Sequence, residues 1–155
     1  MNKTFNFSDM LPIINEQLDA GGNAVFAIHG TSMKPMMKDR IDSVRIKKPT
    51  DAPRKYDIIF YRRDDGHFVL HRIVGVKNGS YICRGDNQIV DEFPVKNENI
   101  IGIVTDYTKN GNFKSIDCLS QRIYSRFWVN TVAFRKLKRR IYVIGHKVKN
   151  KLKKD

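Results

Sequence analysis

The stretch DIIFYRR at 57–63, the turn residues Asp64-Asp65-Gly66 and the run FVLHRIVGV at 68–76 decide the reading of this chain. Two short runs dense in Ile, Val, Phe and Tyr, separated by turn residues, have the composition of β-strands. The same pattern continues on both sides: AVFAIHG (24–30) and SVRIKK (43–48) upstream, and YICRG (81–85), IIGIVTDY (100–107) and FKSIDCL (113–119) downstream. Pro49, Pro53, Asn78-Gly79 and Asn110-Gly111 punctuate these runs. Many strands at close spacing with no helix between them predict a mainly β, antiparallel sheet system or small barrel. Ahead of them, Ser8-Asp9 offers an N-cap, and Met10, Ile13, Ile14 and Leu18 recur at helical spacing until Gly21-Gly22, which predicts one short amphipathic helix.

With 155 residues, 41% hydrophobic and 29% charged, the chain has the size and composition of one globular domain, and collagen-like or wholly disordered readings are excluded. Its net charge of +13 is unevenly placed. Residues 1–118 hold 17 basic and 15 acidic residues, whereas residues 119–155 hold 12 basic residues and one acid, Asp155. In that tail Phe127, Phe134, Ile141 and Val148 fall seven apart, joined by Leu137, Ile144 and Leu152, with Trp128 and Tyr142 adding aromatic area. This predicts a basic amphipathic helix broken near Gly145, and a division into a body (1–118) and a tail (119–155). The tail suits an anionic membrane surface; nucleic acid is the weaker partner, because no helix-turn-helix or RNA-binding signature accompanies the charge. A helix packing on the body is the plainer alternative. Cys83 and Cys118 lack metal or redox spacing. With neither a secretory signal nor a long uncharged apolar run, the expected address is cytoplasmic, peripheral on the inner face of the membrane.

For chemistry, Ser32 stands out in HGTSMKPMM, directly after a predicted strand, with Gly30 permitting a tight turn and Pro35 restraining the backbone beyond it. His71 interrupts an otherwise apolar strand, and histidine is a residue type that can act as a general base near neutral pH. Asp86 lies in RGDNQ, after another strand. Each has a bland reading: an exposed turn serine, a satisfied core histidine, an aspartate making turn hydrogen bonds. His29, in an extended segment, need not converge on Ser32; His67 reads as a loop residue and His146 as part of the basic tail. Met33 and Met36 read as apolar wall or membrane-contacting residues rather than metal ligands.

Taken together and in order, Ser32-Met33 with Pro35, Tyr56 to Phe60, His71 to Gly75 and Arg84 to Asn87 resemble the successive boxes of the type I signal peptidases across residues 24–104. Histidine at position 71 resembles the Ser/His branch of that family rather than its Ser/Lys branch. The resemblance implies a fold shared with the self-cleaving SOS-type repressors, and an endopeptidase acting on a peptide or protein precursor paired along a sheet edge, with small side chains before the cut and with neither cofactor nor metal. It implies Ser32 as nucleophile, His71 as general base and Asp86 as the carboxylate that orients the histidine or organises the site. Asp91 or Glu92 would be a further supporting acid, and the Ser32 N–H, with the Thr31 hydroxyl, the oxyanion donors. Two positions depart from the family: Gly30 stands where a hydroxyl donor is common, and Tyr56 replaces the usual glycine before Asp57. Alternatives are a catalytically silent binding module, or a self-cleaving regulator cut at Ala20-Gly21.

Overall fold

The computed structural model describes residues 7–151, with side chains from Ser8 to Ile141, so the expectations for the side chains of Tyr142, Ile144, His146 and Val148, and for Leu152, lie outside the described residues. Helix α1 (Phe7–Asp19) precedes strands β1 (Asn23–Ala27), β2 (Ser43–Lys47), β3 (Ile58–Arg62), β4 (Phe68–Lys77), β5 (Ser80–Arg84), β6 (Glu92–Val95), β7 (Ile100–Lys109) and β8 (Asn112–Ser115). Helices α2 (Leu119–Asn130) and α3 (Val132–Lys151) follow. The eight strands form one sheet in the order β1-β2-β7-β3-β4-β5-β6, with β8 also paired to β7, and every pairing is antiparallel.

β3 explains why the deciding stretch is apolar without alternation. All four residues from Ile58 to Tyr61 are buried, because this strand lies inside the sheet with core on both faces. Ile58 and Phe60 join α1, the 33–37 turn, β2 and Val104 in one apolar cluster; Ile59 and Tyr61 join Val69, Ile73, Tyr81, Cys83 and Val95 in the other. Burial pushes the Cys83 thiol up to about 12, so it behaves as a core residue. Met33 and Met36 are 1% and 5% exposed, which makes them core and removes the membrane-contact reading.

The sequence reading needs four corrections. The 113–119 run is shorter, pairing only over Asn112–Ser115. β6 was not expected: its Pro94 and exposed Phe93 hide the pattern, and a strand with proline is tolerated because β6 is an edge. α3 runs through Gly145, and the interruption falls at Thr131, where the Thr131 amide still donates to Phe127 O at 3.0 Å and Arg135 N to Thr131 O at 3.1 Å. Lastly, α2 is bound to the body rather than being a free tail. Its Gln121 Nε2 donates to Tyr107 Oη (2.6 Å), its Ser125 Oγ accepts from Arg72 (2.7 Å) and its Trp128 Nε1 donates to Asp86 O (2.6 Å).

The face of α2 that meets the body is therefore largely polar and aromatic, with Val129 its one buried aliphatic side chain. Leu119, Ile123 and Phe127, and on α3 Phe134, Leu137 and Ile141, remain 54–72% exposed. No described helix is long and apolar enough to cross a membrane.

Candidate active site

The site forms where the loop after β1 meets the end of β5. Ile28 N donates to Asp42 O (2.9 Å), Gly30 N to Asp39 Oδ1 (2.8 Å) and Lys38 N to Asp42 Oδ2 (2.7 Å), so the loop carrying Ser32 is closed on itself. Gly30 takes φ 97°, a conformation that glycine adopts at little cost. Met33, Met36 and Met37 anchor the turn in the core and leave Ser32, just ahead of them, partly exposed.

Gly85 is the point of contact. A Cβ there would lie 2.7 Å from Ser32 O, 3.0 Å from Ser32 Cβ and 3.0 Å from His71 Nε2. Ser32 Cβ and His71 Nε2 are thus no farther apart than twice that last distance, and Asn87 N fixes the approach by donating to Ser32 O at 2.7 Å. The glycine of the RGDN box is required by space: any side chain would push the serine loop off the histidine. In this conformation no hydrogen bond joins Ser32 Oγ to His71 among the described residues; nucleophile–base hydrogen bonds are often long without substrate and tighten when it binds.

His71 reaches this place through register. It is opposite Ile59 on β3, so Ile59, Tyr61 and His71 share one face of the sheet. Its Nδ1 lies 3.2 Å from Glu92 Oε1 and 3.4 Å from Tyr61 Oη. Tyr61 donates its hydroxyl hydrogen to Glu92 Oε2 at 2.6 Å, and Arg63 donates to the same carboxylate through Nε at 2.9 Å and through Nη2. Burial opposes ionisation of Glu92, but hydrogen bonds from His71, Arg63 and Tyr61 outweigh it and hold the carboxyl well below the ordinary range. An ionised Glu92 accepts only, and the Tyr61 hydrogen is already given away, so the proton of a neutral His71 sits on Nδ1. Nε2 is left with its lone pair toward Ser32.

Asp86, expected to orient the histidine or organise the site, does not orient it. Arg72 donates to its two oxygens at 2.9 and 2.8 Å, and Tyr124 Oη donates at 3.1 Å. Adjacent strand residues point to opposite faces, so Arg72 and Asp86 lie on the far side of β4 from His71, both buried. Asp91 is spent on Arg84 (2.6 Å), which leaves Glu92 as the acid at His71. Thr31 is exposed beside the serine, and neither its hydroxyl nor the Ser32 N–H has an acceptor among the described residues. His29 and His67 are exposed; His67 pairs with Asp65. Ala20-Gly21 closes α1, with Ala20 N bonded to Glu16 O (3.0 Å), so that bond is not in an extended arm.

Tyr56 takes φ 87°, the left-handed region that favours glycine. Tyr61, Arg63 and Gly85 are the participants the sequence reading passed over. The signal for the first two was available, since pairing 57–63 with 68–76 about the Asp64-Asp65-Gly66 turn brings the 59, 61, 63 row alongside position 71. No family model matches the chain, and no curated protein matches it.

Proposed function

We propose that this protein is a serine endopeptidase similar to type I signal peptidases of the Ser/His kind, with their fold, and that it removes a leader-like segment from a peptide or protein precursor. The observation that carries the reading is the convergence at Gly85 of Ser32 Cβ and His71 Nε2, with Glu92 on the other ring nitrogen. Ser32 Oγ attacks the scissile carbonyl carbon while its proton passes to His71 Nε2. Glu92 stabilises the resulting imidazolium, and the Ser32 N–H with the Thr31 hydroxyl meets the oxyanion. His71 then gives its proton to the leaving amine, the C–N bond breaks, and water hydrolyses the acyl-serine by the same steps in reverse.

The exposed apolar row from Leu119 to Ile141, set among basic residues, supports work at an anionic membrane surface such as the cytoplasmic leaflet. Each basic residue near such a leaflet adds roughly 1 kcal/mol of attraction. The test is to incubate wild type and Ser32→Ala with a diverse peptide library on anionic liposomes and to read new termini by mass spectrometry. Cuts after small residues made by wild type alone support the reading; silence from a folded wild type refutes the peptidase. Phe127→Ser with Phe134→Ser should release the protein from the liposomes, and unchanged binding would refute the membrane contact.

A further inference from the structure

A cleft of about 720 Å³ opens beside the nucleophile, walled by Lys34, Asn87, Ile89, Trp128, Arg135 and Arg139, with Pro35 at its margin. Its position is fixed by contacts already described: Lys34 is two residues beyond Ser32, and the Asn87 amide holds the Ser32 carbonyl. A smaller cavity shares Asn87, Ile89 and Arg139 with it and continues to Val90 and Glu92, so the space runs along the 87–92 loop past the candidate site.

The charge in this cleft is of one sign. Among the described residues no carboxylate lines it, and three cations do. Arg135 is rigidly placed: Nη1 donates to Asp86 O (2.7 Å), Nη2 to Trp128 O (2.9 Å), and its guanidinium lies 4.4 Å from the centre of the Trp128 ring. Those acceptors are carbonyls, and no carboxylate pairs directly with it among the described residues. Lys34 and Arg139 are exposed and pair with no acid among the described residues. The acids nearest in sequence to Asn87 and Ile89 are already taken, Asp86 by Arg72, Asp91 by Arg84 and Glu92 by Arg63.

We infer that this cleft selects an acidic segment of the substrate, with Asp or Glu side chains a few residues from the scissile bond facing Lys34, Arg135 and Arg139 while apolar stems lie on Trp128 and Ile89. The inference rests on the peptidase reading for the word substrate, but binding can be tested apart from cleavage. Trp128 is the chain's only tryptophan and lines the cleft, so its fluorescence reports occupancy. The full chain carrying Ser32→Ala would be titrated with a Glu-rich peptide, its Gln counterpart and phosphatidylserine vesicles. The expected result is a Trp128 response to the Glu-rich peptide at least about tenfold tighter than to the Gln counterpart, weakening with salt. Lys34→Gln with Arg139→Gln should erase the difference, whereas Lys77→Gln with Lys109→Gln, which removes equal charge elsewhere, should preserve it. Equal affinity for the two peptides, an equal loss in both double variants, or a response to vesicles alone would overturn the inference. Cleavage by wild type without acidic preference would leave the peptidase standing and the cleft assignment refuted.

Discussion

Two neighbouring residues of β4 each face a carboxylate, and the two pairs have different uses. Arg72, wholly buried, gives two hydrogen bonds to Asp86 and further ones to Tyr56 O (3.0 Å) and Ser125 Oγ. α2 covers that side of the strand, with Ser125 and Tyr124 bonded to the pair. His71, on the other face, has one nitrogen tied to Glu92 and the other directed at the turn that carries Ser32. Both side chains are buried, but Arg72 is hydrogen-bonded on all sides, whereas the ring of His71 keeps one nitrogen without a partner among the described residues, which is the atom the proposed mechanism uses. The same two strands supply both, and period-two alternation keeps them apart.

The comparison is broken most severely at its open side. His71→Gln should lower cleavage by about 10²–10⁴-fold, as loss of a positioned general base does, with the unfolding midpoint in denaturant moving far less than for a buried-pair variant. Arg72→Met should do the reverse, costing about 3–5 kcal/mol of stability by leaving Asp86 buried without its cation. Denaturant titration followed by Trp128 fluorescence measures it. If Arg72→Met were as stable as wild type, the sealed pair would not be holding α2 on the body.

Gly85→Ala sharpens the comparison between these extremes. The added Cβ would press on Ser32 O and His71 Nε2, so an overpacking cost of about 1–3 kcal/mol is expected, together with a cleavage loss that persists at temperatures where the variant is fully folded. Unchanged activity would show that Ser32 and His71 do not need this contact. The smallest effect concerns acid. Glu92 is held below its ordinary value of 4.5, so its hydrogen bonds stabilise the fold fully above that value, and the stabilisation is lost as pH falls through the depressed one. Melting scans from neutral to acid pH should therefore show a shallower decline for Glu92→Gln than for wild type.

The fold class was legible because burial writes itself into composition: six of the eight strands coincide with apolar runs cut by Gly, Asn and Pro, while the exposed β8 was marked by the Asn110-Gly111 turn before it. β6 was not legible, being short, at an edge, and carrying Pro94. That omission also hid the acid. Once 92–95 is a strand beginning at Glu92, its side chain and that of Asp91 face different partners, His71 and Arg84, whereas in a loop the two are indistinguishable. The partner of Asp86 was hidden for a related reason, since a Gly-Asp-Asn turn does not disclose that an arginine from the opposite face of β4 will claim both oxygens. The tail's charge was legible; that α2 would bind through Gln121, Ser125 and Trp128 and leave its apolar row outside depends on partners far away in sequence.

The central claim is that Ser32 is a nucleophile served by His71. Wild type and Ser32→Ala would be mixed with an activated peptide ester, quenched during turnover, and their intact masses and tryptic maps compared. The account predicts an acyl adduct on the peptide containing Ser32 in wild type and none in the variant. Turnover without an adduct, at the same rate in both proteins, would contradict it.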